Sequence, residues 1–150
     1  MALTVGDRAD REIIYRLIGT NPAASNTSVQ GDSLTLRLFK DARVLSKGDS
    51  KFLFHSATGA GYAYIVLNPT AWTISTLNPG TGDTNMASYA QQTFTFTGAD
   101  SVSGYMVWTV KNRGATGDSI LMWAEKFSDG PYIIPAGGGT IKVTPRIIVS

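Results

Sequence analysis

This chain of 150 residues contains no cysteine, one histidine and very little glutamate or glutamine. The lack of cysteine excludes disulfide frameworks, thiol nucleophiles, zinc knuckles and iron–sulfur clusters. With only 2 Glu, 3 Gln and 6 Lys, strong helix formers are scarce, whereas 17 Thr, 13 Ser and 16 Gly favour strands and turns. The composition therefore argues against an all-helical protein.

Charge is also sparse, at 16% charged residues with a formal net charge of +2. The sequence has no block of Lys and Arg, so the electrostatic signature of a nucleic-acid-binding protein is missing. No apolar run approaches the roughly 18 residues of a membrane-spanning helix, and residues 1–12 lack the apolar core of a signal peptide. We therefore expect a protein made in the cytoplasm that binds neither nucleic acid nor a membrane.

One helix stands out, over residues 6–18, and Gly19 is placed to end it. The acidic residues Asp7 and Asp10 suit the positive end of its dipole. The polar segment that follows, residues 20–33, has no periodicity and is interpreted as a linker or an extended arm. Five residues at helical spacing form an apolar stripe along the predicted helix: Ala9, Ile13, Ile14, Leu17 and Ile18.

Residues 33–150 show the period-two alternation of strands, separated by clusters of Gly, Asn, Asp and Pro. The segments at 104–111 and 119–127 predict a hairpin, and Pro145 requires an edge position or a bulge. The gap at 77–91 is too long for a hairpin turn and favours a Greek-key crossover. The predicted strands are 33–39, 51–56, 61–67, 71–76, 92–97, 104–111, 119–127 and 140–149.

The spacing predicts a mainly β fold, an antiparallel β-sandwich of jelly-roll type with one short N-terminal helix. A short barrel is the alternative. The domain organisation follows, with a helix and arm at 1–32 and a β-sandwich domain at 33–150. Eleven residues are expected to point inward: Leu34, Leu36, Leu38, Ile65, Trp72, Ile74, Phe94, Phe96, Val107, Trp123 and Ile141.

The residues that could carry chemistry do not combine into a known site. His55 is the only histidine, no G-x-S-x-G motif accompanies it, and a half-buried strand residue is the plainer interpretation. Glu125 is the only glutamate of the β region and suits a cross-strand ion pair. Asp83 and Asn85 are too few for a calcium loop, and the glycine clusters precede no helix and no G-K-[ST]. We therefore expect that the protein is not an enzyme and that it has no catalytic residue, no bound metal and no cofactor.

The aromatic residues allow two interpretations. They could form a platform on which sugars stack, or they could fill a sandwich core, and the alternation favours the core. The exposed-looking row Thr93, Thr95 and Thr97 is interpreted as a solvated strand face rather than a binding face. The aromatic residues concerned are Trp72, Trp108 and Trp123 with Tyr62, Tyr64, Tyr89, Tyr105 and Tyr132.

Two motifs near the C-terminus carry a family resemblance. They read Leu-Met-Trp-Ala-Glu-Lys-Phe-Ser-Asp-Gly-Pro-Tyr over residues 121–132 and Ile-Lys-Val-Thr-Pro-Arg-Ile over residues 141–147. Together with the Gln-Gln-Thr-Phe-Thr-Phe segment at 91–96, they resemble small β-rich structural proteins of tailed bacteriophages. The likeness covers about two thirds of the chain and is weakest at 41–60 and 77–88.

The resemblance implies a virion component, and a capsid decoration (cement) protein fits best. Such a protein would be made in the host cytoplasm without a signal peptide and would lie on the capsid exterior. Its partners would be the major capsid protein and further copies of itself, in a homotrimer. A tail, baseplate or head-fibre component is the second hypothesis. A carbohydrate-binding, adhesive β-sandwich is the third.

The N-terminal segment then becomes a candidate for assembly. A lone helix of this length is marginal in water, so its stripe must be covered. Residues 20–33 can span up to about 45 Å when extended. We expect residues 1–32 to form an arm that packs on a neighbouring subunit or on the capsid protein; the alternative is that the helix caps its own sandwich. The predicted assembly contacts are Ile13, Ile14, Leu17 and Ile18.

Overall fold

The computed structural model describes residues 33–46, 53–77, 84–110 and 120–149. The described chain is mainly β, and every strand pair in it is antiparallel. The predicted N-terminal helix and arm lie outside the described residues. The strands are β1 (Ser33–Phe39), β2 (Ile65–Leu67), β3 (Thr73–Leu77), β4 (Thr84–Ser88), β5 (Gln92–Phe96), β6 (Asp100–Val102), β7 (Gly104–Val110), β8 (Ile120–Lys126), β9 (Tyr132–Ile134), β10 (Gly139–Val143) and β11 (Arg146–Val149), with a 3-10 turn at Pro69–Ala71.

The strands form four hydrogen-bonded groups. A four-stranded sheet has the order β2-β1-β7-β8, and a three-stranded sheet has the order β11-β4-β3. Two further pairs are β10-β5 and β6-β9. The predicted hairpin between the 104–111 and 119–127 segments is confirmed, because β7 pairs with β8.

The strands of residues 84–110 and 120–149 pair as one long two-stranded ribbon. From its open end, β4 pairs with β11, β5 with β10, β6 with β9 and β7 with β8. Asn85 faces Val149 at one end, and Gly104 faces Lys126 where the last pair begins. At each break between pairs the ribbon bends, and the next pair of strands belongs to a different sheet.

Two residues show how the breaks are made. Gly138 has φ +83°, a conformation that favours glycine, and its amide donates to the Pro135 carbonyl at 2.9 Å in a tight turn. A Cβ at Gly138 would lie 2.1 Å from the Phe96 carbonyl oxygen, so the close approach of β5 also requires glycine at this position. Pro145 separates β10 from β11, and its carbonyl accepts from the Tyr89 amide at 2.9 Å.

One core cluster collects side chains from all four strand groups. Eight of the eleven predicted inward residues are buried, and Ile65, Ile74 and Trp123 are partly buried against the same cluster. The prediction of the core is therefore confirmed. A second, smaller cluster of Phe39, Phe54 and Met106 lies on the opposite side of the β2-β1-β7-β8 sheet.

Several strand boundaries predicted from the sequence are wrong. The 140–149 segment is two strands in two sheets, since Pro145 has no N–H with which to continue a ladder. Of the predicted 51–56 strand, the described part has only an isolated bridge from Ser56 to Phe39, and residues 61–64 are not in a strand.

The gap at 77–91 is a second correction, because it contains β4, which pairs with the preceding strand β3 in the same sheet. The strand reads Thr-Asn-Met-Ala-Ser, which lacks the pattern of a strand. It pairs with β3 on one side and β11 on the other, so its two neighbours supply the hydrogen bonds that its own composition does not favour. The short strands β6 and β9 were missed for the same reason, since each forms against the other within the ribbon.

Candidate functional site

The outward side of the β2-β1-β7-β8 sheet carries an unusual group of side chains. Along β1, Leu34, Leu36 and Leu38 point into the main core, so the residues between them point the other way. We define the Arg37 face as the five residues that lie on or beside this outward side: Thr35, Arg37, Tyr64, Val66 and Trp108.

Arg37 lies between two aromatic rings. Its Cζ atom is 4.5 Å from the centroid of the Tyr64 ring and 4.4 Å from that of the Trp108 ring. Each cation–π contact stabilises by about 0.5–1 kcal/mol at such a partly open site and restricts the guanidinium to one plane. The surrounding surface is apolar and open, with Tyr64 52% and Val66 57% exposed.

Three polar atoms of the Arg37 face are buried without a hydrogen-bond partner among the described residues. They are Thr35 Oγ1, Arg37 Nε and Trp108 Nε1. Buried polar groups in proteins are nearly always paired, so a cluster of three at one place calls for an explanation. The three atoms are enclosed by the chain itself, so the part of the Arg37 face that meets solvent is the Tyr64 and Val66 side chains beside the half-buried Arg37.

His55 lies in a loop rather than a strand, and its side chain is 80% exposed instead of half-buried. Its Nδ1 is 2.7 Å from Asp41 Oδ1, and its backbone N–H donates to Asp41 Oδ2 at 2.6 Å. Burial would raise the pKa of Asp41, but the hydrogen bonds from the His55 ring and backbone and the His55 charge lower it overall. The pair joins the segment just after β1 to residue 55.

Asp100 is the most enclosed carboxylate among those whose contacts the structure describes, with 1% of its side chain exposed. Lys40 Nζ lies 2.8 Å from its Oδ1, and the amides of Thr58 and Gly59 donate to its Oδ2 at 2.9 and 2.6 Å. Burial alone would raise the pKa of Asp100, but the Lys40 contact and the backbone amides lower it. The carboxylate therefore pins the 57–61 loop to β6.

Glu125 is paired, although not as the sequence predicted. Its cross-strand neighbour is Tyr105, whose hydroxyl donates to Glu125 Oε2 at 2.5 Å, and the cation near it is Arg146 on β11, at 3.8 Å. Burial, followed by the Glu125 carboxylate, raises the pKa of Tyr105. The group links β7, β8 and β11.

The aromatic residues divide between the core and the surface. Trp72 and Tyr105 are buried, and Tyr62, Tyr89 and Trp123 are partly buried against the main core, which confirms the core interpretation for them. Tyr64 and Trp108 belong to the Arg37 face instead. Tyr132 lies at the surface, where its ring packs on Phe127 and its hydroxyl donates to Asp129 Oδ1 at 2.5 Å.

The remaining expectations fall on different parts of the molecule. The row Thr93, Thr95 and Thr97 is exposed, as predicted for a solvated strand face. Within residues 33–46, 53–77, 84–110 and 120–149, no three acidic or histidine side chains come together to hold a metal. No helix in those ranges is long and apolar enough to cross a membrane. The predicted assembly contacts Ile13, Ile14, Leu17 and Ile18, and Asp83, lie outside the described residues.

Comparison of the chain with protein-family models, with curated proteins and with solved structures gave no match. The site must therefore be judged from its own geometry.

The sequence analysis missed the Arg37 face. The available signal was the arginine within Ser-Leu-Thr-Leu-Arg-Leu-Phe, a charged residue on the non-core side of an otherwise apolar strand. Its two aromatic partners come from β7 and from the loop before β2, and only the pairing of those strands brings them to Arg37.

Proposed function

We propose that this protein is a non-enzymatic virion structural protein of a tailed bacteriophage, which decorates and stabilises the capsid by binding the major capsid protein lattice. The proposal rests on where the two motifs that resemble phage proteins lie in the fold. Residues 121–132 and 141–147 form most of one side of the long ribbon. A motif of this kind specifies a scaffold rather than a reaction.

The individual motif residues support this interpretation. Trp123 packs against Trp72, with ring centroids 6.0 Å apart, and Ile141 and Val143 are buried in the main core. The amide of Phe127 donates to the Ser103 carbonyl at 3.0 Å, which joins the two sides of the ribbon between β6 and β7. The Gly130–Pro131 peptide bond is cis in the turn that follows. Each residue named here packs or pairs within the fold.

We assign the finer architecture as a jelly-roll-like β-sandwich. Its support is the ribbon, since a folded antiparallel ribbon wrapped around one core is how such a sandwich is built. The main core cluster takes Leu36 from β1, Ala87 from β4, Phe94 from β5 and Ile134 from β9. A core shared by all four strand groups supports this arrangement.

A decoration protein needs a rigid core, exposed polar strands and a surface that recognises a repeated partner. The main core cluster supplies the first, the Thr93–Thr97 row the second and the Arg37 face a candidate for the third. Its partners are the major capsid protein and two further copies of itself, because homotrimers fit the local symmetry of capsid sites. Its location is the capsid exterior, and nucleic acid and membranes are not among the proposed partners. A tail, baseplate or head-fibre position is the alternative within the virion.

A second candidate, carbohydrate binding, draws on one observation. A groove of about 340 Å³ lies beside Tyr132 and is also lined by Phe127, Ile133 and Lys142. An exposed aromatic ring next to the Asp129 carboxylate is a usable stacking surface for a sugar. Binding of the purified protein to a glycan array, lost in Tyr132→Ala, is the result that would favour this candidate.

Cryo-electron microscopy of virions of the phage that encodes this chain tests the leading proposal. We expect density for the described fold on the outside of the capsid, in a copy number set by icosahedral symmetry. Density confined to the tail, baseplate or fibres would overturn the capsid assignment, and absence from purified virions would overturn the virion assignment. Gold labelling of a tagged copy provides a control for the location.

A further inference from the structure

We propose that the groove beside Tyr132 binds an acidic sugar, whose pyranose ring stacks on Tyr132 and whose carboxylate pairs with Lys142. The inference rests on carbohydrate binding, the second candidate function, and names the class of sugar that the groove selects. Three features support it: the shape of the groove, the fixed position of the Tyr132 ring and the unpaired charge of Lys142.

The groove lies between two consecutive strands that do not pair with each other. β9 pairs with β6 and β10 with β5, so the two strands diverge from the turn that joins them. Residues 132–135 and 139–142 line the space between them, and the buried Ile134 and Ile141 form its floor. Its volume of about 340 Å³ falls within the roughly 300–1,000 Å³ of small-molecule sites.

The Tyr132 ring is held in place at both ends. Phe127 packs against the ring, with centroids 5.1 Å apart, and the hydroxyl donates to Asp129 Oδ1 at 2.5 Å. The residue is nevertheless 37% exposed, so part of it meets solvent in the groove. A ring that is already fixed loses little conformational entropy when a ligand stacks on it.

Lys142 supplies the only charge among the described residues that line the groove. Its side chain is exposed, and its amine makes no hydrogen bond or ion pair within the described part of the chain. Thr140 lies two residues earlier on β10, so its hydroxyl is on the same exposed side. Asp129 does not line the groove, because its carboxylate is directed to the Tyr132 hydroxyl.

An acidic pyranose matches these three groups together. Its apolar ring face suits Tyr132, its hydroxyls suit Thr140 and its carboxylate suits the Lys142 ammonium. A neutral sugar would leave the ammonium without an anion. An acidic peptide would supply the anion without the rigid apolar ring face that stacks on an aromatic side chain.

Calorimetric titration of the full chain with matched sugars tests the proposal. The acidic probes are sialyllactose and tetragalacturonate, and the matched neutral probe for each is its methyl ester, which lacks only the charge. We expect at least one acid to bind about tenfold more tightly than its ester, since a charge-assisted contact adds to the stacking. The acid that binds identifies the source as a sialylated end or a uronate chain.

Substitutions assign the preference to particular side chains. Lys142→Gln should lower the affinity for the acid about tenfold and leave that for the ester unchanged. Lys126→Gln, an exposed lysine on β8 outside the groove, is the matched control and should keep the preference. Tyr132→Ala should abolish binding of both forms, whereas Tyr132→Phe keeps the ring and should retain most of it. If Tyr132→Ala does not fold, Lys142→Gln carries the test, because its side chain is exposed.

The outcomes distinguish this inference from the proposals beneath it. Equal affinity for acid and ester, or no binding of either acid, would overturn the choice of an acidic sugar. Polyglutamate that binds as tightly, and independently of Tyr132, would also overturn it, since charge alone would then explain the binding. Carbohydrate binding itself is decided by the neutral sugars of the glycan array, and the capsid location is decided by microscopy of virions.

Discussion

Lys40 and Asp100 form an ion pair of 2.8 Å that joins the end of β1 to the start of β6, 60 residues later in the chain. The carboxylate is almost fully enclosed and also accepts from the Ser101 amide at 2.8 Å. A single side chain therefore fastens the 57–61 loop, β1 and β6 together.

Removing this carboxylate should destabilise the fold. Asp100→Ala leaves the Lys40 ammonium and several amides without their acceptor, and we expect a loss of about 2–3 kcal/mol in the free energy of unfolding. Chemical denaturation measures it. Asp129→Ala, an exposed acid in a turn, is the control and should change stability far less. Equal effects of the two substitutions would show that the clamp contributes nothing.

The same group predicts how stability depends on pH. The pKa of Asp100 is lower in the folded chain than its ordinary value of 3.8, so its stabilising effect is present above that value and is lost as the pH falls through the folded-state pKa. The difference in melting temperature between the wild type and Asp100→Asn should therefore be full at neutral pH and shrink below about pH 4. A difference that grows on acidification would contradict the assigned direction.

The turn at Gly138 offers a matched pair of substitutions. Gly138→Ala places a side chain at a positive-φ position and against the Phe96 carbonyl, so we expect the free energy of unfolding to fall by about 1–3 kcal/mol. Gly137→Ala, next to it, meets nothing within 4 Å and should be close to neutral. Thermal denaturation of both variants checks the prediction. If the two melt alike, β5 and β10 do not approach as described.

Tyr105 should ionise unusually late. Its pKa is raised by burial and by Glu125, so the stabilising effect of its hydroxyl persists below the ordinary value of 10 and disappears only as the pH rises through the folded-state pKa. In a spectrophotometric titration of phenolate, Tyr105→Phe should remove the latest step among the tyrosines. Tyr64→Phe, at an exposed ring, should leave that step in place.

Deleting residues 2–20 should separate assembly from folding. If the segment is an arm, the truncated protein keeps its melting temperature and loses trimer formation and binding to purified capsids. The test combines calorimetry with sedimentation and capsid pull-down. Unfolding on truncation would mean that the segment belongs to the core of its own domain, and the arm hypothesis would then be wrong.

His55→Ala should leave assembly unchanged and lower stability only slightly, because the side chain is largely exposed and its contact is with Asp41. Capsid binding and melting temperature are the two measurements. A hydrolase screen that finds turnover in the wild type, and none in this variant, would contradict the prediction that the protein is not an enzyme.

Local sequence patterns predicted which segments form strands better than they predicted where a strand ends and the next sheet begins. Alternation in Ser-Leu-Thr-Leu-Arg-Leu-Phe identified β1 and its inward leucines, because period two and hydrophobicity are properties of one strand alone. It could not predict β4, which forms because β3 and β11 pair with it on either side. Nor could it predict that β10 and β11 belong to different sheets, although Pro145 marked the place.

The sequence by itself determined that this protein is mainly β, that its inward residues form one apolar core and that β7 pairs with β8, since each depends on residues close together in the chain. Only the tertiary structure decided the ribbon formed by the strands of residues 84–110 and 120–149 and the stacking of Tyr64 and Trp108 on Arg37. Those three side chains lie on separate segments that the alternation of each strand leaves unrelated. Their meeting depends on strand register, which is set by the summed packing and hydrogen bonding of the whole sheet.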